Sequence, residues 1–351
     1  MLLAAKAFSQ DTLTKKATLE SRVYLDAYYS YDFSRPATHL KAPFLYNHNR
    51  HNEVNLNLAV ASLSYKGTRT RGNLGLMTGT YTQYNLAAEP DVLQHIFEAN
   101  AGLKLSTANE LWLDFGVLPS HIGFESAISK DCLTLTRSIL AESSPYYEAG
   151  ARLSYSAKNE KWYLAALLLN GWQRIRRIDR NNTPAFGTQV TYKPTDKLSF
   201  NSSTFIGNDK PDSIKQWRYF HNLHAIWQLS KNWGLTLGFD YGMEQKHAGA
   251  TSFNNWYSPV AIVRYERNKL AIAARAEYYS DKTGVIVPLV NANPFQMQGY
   301  SINADRKISN NAIWRVEWRK LRSQHPYFEQ SNGFASSNSF VTTSVVIDFI
   351  K

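Results

Sequence analysis

Arg22-Val-Tyr-Leu-Asp-Ala-Tyr-Tyr-Ser-Tyr-Asp-Phe33 decides the fold class. One parity reads Val23, Leu25, Ala27, Tyr29, Tyr31, Phe33; the other reads Arg22, Tyr24, Asp26, Tyr28, Ser30, Asp32. A period of two means an extended strand with one apolar and one polar face. The pattern returns along the chain. Trp233, Leu235, Leu237, Phe239 and Tyr241 oppose Thr236 and Asp240, and Trp314, Val316 and Trp318 oppose Arg315, Glu317 and Arg319. About sixteen such runs can be marked, near 21–33, 53–65, 71–82, 95–106, 110–119, 146–157, 161–172, 184–194, 197–207, 216–229, 232–245, 255–266, 269–280, 297–307, 311–320 and 339–350.

The connections sort by length. After even-numbered runs they are short polar turns such as Thr195–Asp196 and Arg267–Asn268; after odd-numbered runs they are long, as in Ser34–Asn52 and Ser120–Pro145. Short turns on one side and long loops on the other describe an all-β transmembrane antiparallel barrel with periplasmic turns and extracellular loops. A soluble sandwich or propeller also alternates, but has no reason to sort its loops by side. Aromatic residues support the membrane reading: 13% of the 351 residues, with 21 Tyr and 9 Trp, many near run ends, where such rings suit a lipid–water boundary. Leu164–Leu169 is the longest uncharged apolar block and is far short of the ~20 residues of a spanning helix. A single cysteine, Cys132, excludes a disulfide framework. Residues 1–10 read as a signal-peptide remnant or a disordered N-terminus, and 11–351 as a single barrel domain.

Gly116-Val-Leu-Pro-Ser-His-Ile-Gly-Phe-Glu-Ser126, Leu140-Ala-Glu-Ser-Ser-Pro-Tyr-Tyr-Glu-Ala-Gly150 and Lys161-Trp-Tyr-Leu-Ala-Ala-Leu-Leu-Leu-Asn-Gly-Trp-Gln-Arg-Ile175 resemble the outer-membrane β-barrel porins of Bacteroidota, the OmpL-like family. The resemblance implies a Gram-negative outer-membrane location and passive diffusion of small hydrophilic solutes, and it brings no catalytic residues. Ser120–Pro145, the longest connection, resembles the constriction loop that follows the fifth strand in general porins; the alternative is an external cap. Run 161–172 favours the inward course, because Ala165, Leu167 and Leu169 make its second face apolar too. An inward loop carrying Ile122, Phe124, Ile128, Leu133 and Leu135 would cover that face. Its polar members are His121, Glu125, Lys130, Arg137 and Glu142.

Polar parities direct Arg22, Asp26, Glu98, Asp114, Glu148, Arg152, Arg275, Glu277, Arg315, Glu317 and Arg319 into the lumen. Both signs are present, so either a transverse field or mutual neutralisation follows. A net charge of +11 and the lumen arginines lead to an expected modest anion preference, set where the loop faces Arg152, Arg275, Arg315 and Arg319. The same parities expect Thr236→Arg and Ala273→Arg to be tolerated, unlike Leu237→Arg and Ala274→Arg.

Enzymatic and metal readings find little. His95 with Glu98 and His221 with His224 are three apart, which on a strand means opposite faces. His39, His48 and His51 share only a loop, and neither an oriented base nor an oxyanion site can be read beside His121 and Cys132. No cofactor motif and no nucleic-acid module is legible. Expected partners are outer-membrane lipids, lipopolysaccharide and small solutes, with homo-oligomer formation open. The cluster Arg174, Arg176, Arg177, Arg180 reads first as a solvated loop and second as a bridge to lipopolysaccharide phosphates. The competing function is a loop-occluded barrel serving as a structural or docking component of an envelope complex.

Overall fold

Period-two sequence becomes strand throughout the computed structural model, which describes residues 17–330 and 333–351. The stretch 1–10 lies outside the described residues. The strands are β1 (Thr18–Asp32), β2 (Val54–Lys66), β3 (Thr70–Thr78), β4 (Ile96–Lys104), β5 (Glu110–Pro119), β6 (Tyr147–Ser156), β7 (Trp162–Leu169), β8 (Ala185–Thr195), β9 (Leu198–Gly207), β10 (Arg218–Gln228), β11 (Trp233–Gln245), β12 (Phe253–Arg267), β13 (Leu270–Asp281), β14 (Phe295–Lys307), β15 (Ala312–Ser323), β16 (Phe328–Gln330), β17 (Gly333–Ala335) and β18 (Ser337–Ile350). β1–β15 and β18 form one closed barrel of sixteen strands; β16 and β17 make a separate hairpin inside the last long loop. Closure is antiparallel between β1 and β18, from Arg22 opposite Ile350 to Asp32 opposite Phe340. Hydrogen-bonded ladders therefore run between neighbouring strands around the whole wall, as hydrocarbon requires. No helix among the described residues is long and apolar enough to cross a membrane; the strands do the crossing.

The apolar parity faces outward. Val23, Leu74, Phe115, Leu237, Ile272, Ile302 and Val345 are all exposed on the barrel's exterior, while their neighbours Tyr24, Asp114, Thr236, Ala273 and Asn303 are buried. Run 71–82 is the one clear difference from the period. β3 stops at Thr78 because the chain turns inward at Gly79 and forms helix α1 (Thr80–Asn85). Gly79 has φ 132°, and a Cβ there would lie 2.4 Å from the carbonyl oxygen of Asn57, so only glycine fits this exit.

The interior is fuller than a water-lined lumen. Phe44 and Leu45 from the β1–β2 loop, Ile122 and Ile139 from the β5–β6 loop, Val287 from the β13–β14 loop and Tyr327 and Phe328 from the last loop form one apolar cluster. It includes Leu169, Phe205, Phe220, Trp256, Phe295, Leu321 and Phe340 on the inner wall. A second interior cluster joins Leu140 to Val260, Ile262 and Ala273. The expectation that Ala273 and Thr236 face open lumen is thereby corrected: they are 1% and 2% exposed. Polar parity marks the inner face, but loops returning into the barrel decide which inner positions see water.

Candidate functional site

The loop from Ser120 to Tyr146, between β5 and β6, runs into the barrel. At its start the His121 ring bridges two walls, with Nδ1 2.7 Å from Glu148 Oε2 on β6 and Nε2 2.9 Å from the Thr204 carbonyl on β9. Ser203 Oγ donates to the His121 carbonyl at 2.6 Å. Gly187 makes room, since a Cβ there would come within 2.7 Å of His121 Nε2. Burial opposes charge on this imidazole, but Glu148 and the Thr204 carbonyl outweigh it and raise the pKa. Ile122 and Ile139 then cover Ala165, Leu167 and Leu169, the second apolar face of β7.

Further along, the loop is clamped to β12–β15. Loop carbonyls take the wall arginines: Arg264 Nη1 reaches Leu133 O at 3.0 Å, Arg275 Nη1 reaches Thr136 O at 2.7 Å, Arg315 Nη2 reaches Cys132 O at 3.0 Å and Arg319 Nη1 reaches Arg137 O at 2.9 Å. Loop amides take the wall carboxylates: Thr136 N donates to Glu317 at 2.6 Å and Ile139 N to Glu277 at 2.6 Å, while Leu135 N donates to Asn303 at 3.0 Å. The wall charges also pair among themselves, Arg275 with Glu317 at 2.9 Å, Arg319 with Glu277 at 2.7 Å and Arg315 with Asp305 at 2.8 Å. These are charge-assisted bonds that meet both polarities of an irregular backbone, the condition for burying a loop at all. Arg137 completes it from within, donating to Ser126 O, Leu135 O and Ala127 O at 2.6–2.8 Å.

That geometry corrects the expected lining. Arg275, Glu277, Arg315, Glu317 and Arg319 lie beneath the loop, none more than 6% exposed, and do not face a solute path. Asp26 is buried as well, 3.0 Å from His48 Nε2, and Glu148 is held by His121. Asp114 is buried between Arg71 at 2.5 Å and Arg152 at 3.4 Å. Arg22, Glu98 and Arg152 stay partly exposed. In the loop, Phe124 packs on the His224 ring at 5.6 Å, Glu125 accepts from Ser138 N at 3.0 Å, and Lys130 pairs with Asp348 at 3.0 Å. Partial exposure on the inner face gathers on the opposite wall, at Ser62, Asn73, Glu98, Asn100, Arg152, Gln189 and Thr191. Arg71 belongs to this wall and was missed, although its parity against Leu74 and Leu76 would have marked it.

Glu142, in helix α2 (Ile139–Glu142), latches the β1–β2 loop by accepting from Tyr46 N at 3.1 Å and Asn47 N at 3.2 Å. Burial raises its carboxyl to about 7, against the pull of Arg137 and those donors. A folded-state pKa above the unfolded one gives stability that is present below the unfolded value and lost as pH rises through the folded value. Wild type should therefore lose stability relative to Glu142→Gln between pH 4.5 and 7, on the order of 3 kcal/mol. Lys41, lowered to about 7 by burial, changes its contribution only above that window. Thermal midpoints of the two proteins at both pH values check this; parallel curves would refute it.

The histidines do not converge. His48 turns inward to Asp26, His51 Nδ1 accepts from Asp32 N at 2.9 Å, and His39 rests on the His51 carbonyl at 3.3 Å. Among the described residues no three His, Cys, Asp or Glu side chains are placed to hold a metal. His221 is exposed on the outer face, bonded to Ser202, while His224 points inward beneath Phe124.

Residues 18–349 match the family model described as "Putative beta-barrel porin-2, OmpL-like". The chain belongs to this porin family. It is an outer-membrane porin, a channel for passive diffusion. No curated protein sequence matches the chain. Among solved structures, the porin is similar to OmpT of Vibrio cholerae, at TM-score 0.61 and 9% identity over 97% of this chain and 100% of that one. It is also similar to an anion-selective porin from Comamonas acidovorans, at TM-score 0.62 and 8% identity over 95% and 100%. The outer membrane channel DcaP of Acinetobacter baumannii matches at TM-score 0.58 and 12% identity over 98% and 100%. Identities this low carry the fold alone.

Proposed function

We propose that small hydrophilic solutes cross the porin between the inward loop and the wall of β2–β4 and β6–β8, with a modest preference for anions. One observation supports this most: Arg71 and Arg152 both lie on the Asp114 carboxylate beside partly exposed Asn73 and Asn100, so two guanidinium groups line this wall, with Glu98 as the one partly exposed carboxylate among its described residues. Arg275, Arg315 and Arg319 are occupied by the loop and its carboxylates, so they contribute fixation and no selectivity. Charges within a screening length of ~8–10 Å of the path count most. In a KCl gradient across a planar bilayer the wild type should show an anion-sign reversal potential, and Arg71→Glu with Arg152→Glu should move it to the cation sign. A cation preference in wild type, or no movement in the double variant, refutes the assignment.

The same reading treats residues 11–351 as one barrel unit with no catalytic role. Homo-oligomer formation is part of it, because one of the similar structures is a trimer form of OmpT. Arg174, Arg177 and Arg180 would meet lipopolysaccharide phosphates, with Arg176 held by Asp179 at 2.8 Å. The second reading, a loop-occluded barrel serving an envelope complex, is favoured by the apolar cluster of Phe44, Ile139, Val287 and Tyr327 at the long-loop end. Stable ohmic steps in single-channel recordings support the pore, and silence supports the occluded barrel.

A further inference from the structure

On the short-turn side, β12 reverses into β13 through Asn268 and Lys269. Arg267 lies opposite Leu270, and Leu270 lies opposite Arg306. Asn268 takes φ 58°, a conformation that asparagine tolerates in two-residue hairpin turns. The tight turn fixes all three side chains in one row on the outer face, where Arg267, Leu270 and Arg306 are exposed. The next row toward the bilayer centre is Tyr265, Ile272 and Ala304. Cations thus stand at the rim with an apolar floor directly beneath them. A groove of about 630 Å³ opens at this place, lined by Tyr265, Arg267, Lys269, Leu270, Ile272 and Arg306. Aromatic rings flank it: Trp233 packs on Tyr265 at 4.9 Å on one side, and Trp314 lies opposite Arg306 on the other.

We propose that this groove binds an anionic phospholipid of the periplasmic leaflet. The headgroup phosphate sits between Arg267 and Arg306 with Lys269 above it, and an acyl chain runs over Leu270 and Ile272 between the aromatic walls. Three features select that ligand. First, Arg267, Lys269 and Arg306 make no ion pair or side-chain hydrogen bond among the described residues, whereas the adjacent Lys307 is neutralised by Glu266 at 2.6 Å. Second, guanidinium forks match phosphate oxygens and stay charged at any relevant pH. Third, a zwitterionic headgroup carries its own cation into a site that already holds three, so a net negative lipid is preferred. A smaller rim groove beside Trp162 and Tyr192, with Lys161 and Lys193, also contains Glu160 and lacks this imbalance.

Native mass spectrometry of the intact porin in detergent tests the assignment, with phosphatidylglycerol, phosphatidylcholine of the same acyl chains, and inorganic phosphate as separate probes. Wild type should retain phosphatidylglycerol about tenfold over phosphatidylcholine, the weight of one charge-assisted hydrogen bond. The triple variant R267Q/K269Q/R306Q should fall to the phosphatidylcholine level, and K161Q/K193Q should not. All five positions lie at the exposed rim or in turns, and a heat-shifted electrophoretic band verifies that each variant is folded. Equal retention of the two lipids by wild type overturns the proposal without any variant. Undiminished phosphatidylglycerol on the triple variant overturns it too. So does inorganic phosphate that competes as well as the lipid, which would make the site a free-anion site.

Discussion

Exchanging Arg275 and Arg319 together for methionine is expected to loosen the inward loop, raise single-channel conductance and cost at least about 3–5 kcal/mol of stability, the magnitude for removing one partner from a single buried ion pair. Arg275 is the donor to Thr134 Oγ1 at 2.9 Å, Thr136 O at 2.7 Å and Glu317 at 2.9 Å, and Arg319 is the donor to Arg137 O and Glu277. Without them Glu277 and Glu317 remain buried, with the Ile139 and Thr136 amides as their contacts to the loop. The Arg137 carbonyl loses its donor at the same time, and the Thr136 carbonyl keeps only the Thr134 hydroxyl. Adding Glu277→Gln and Glu317→Gln removes the stranded charge, so most of the stability should return. The loop would remain short of the guanidinium clamps, and the raised conductance should persist. Denaturation midpoints and planar-bilayer recordings on the two variants separate these effects. If conductance stays at the wild-type level while stability falls, the loop does not narrow the path.

The barrel was legible because alternation is imposed by lipid on one face, and because short and long connections sort by side. Both are local properties of the chain, and strand ends such as 110–119 were read to the residue. β16 and β17 were not, since three-residue strands carry no period. The inward course of the β5–β6 loop was legible for a similar reason: Ala165, Leu167 and Leu169 demanded a cover. The lumen was harder. Parity reports which side of the wall a residue occupies, but what lies against it depends on contacts more than a hundred residues away, as between Arg275 and Thr136 or Arg315 and Cys132. A row of charged residues facing water and a row clamping a loop have the same alternating sequence. Three of the four expected selectivity arginines, Arg275, Arg315 and Arg319, are loop anchors on that account, whereas Arg152 stays on the partly exposed wall with Arg71.

Leu237→Arg should cost roughly 2–4 kcal/mol and impair assembly in bilayers, because the charge enters hydrocarbon near the midplane. Leu237 is midway along β11 between Trp233 and Tyr241, exposed rings that mark the two interfaces, and its cross-strand neighbours are Ala225 and Ala261. Neither of these alanines offers a counter-ion. The neighbouring Thr236→Arg should fail for a different reason: Thr236 is 2% exposed, and Ile262 opposite it is buried in one cluster with Leu140 of the loop, so a guanidinium there loses water without gaining a partner. Solvent separates the two defects. In detergent micelles, where a long side chain reaches water more easily, Leu237→Arg should recover much of its folded yield, while Thr236→Arg should remain impaired. Asn73→Arg, on the partly exposed inner wall, should fold as wild type in both media. Heat-shifted migration after refolding into vesicles and into micelles measures all three. If Thr236→Arg folds as well as Asn73→Arg, the packed seam between the loop and β10–β12 is absent and the inner wall is open to water at that level.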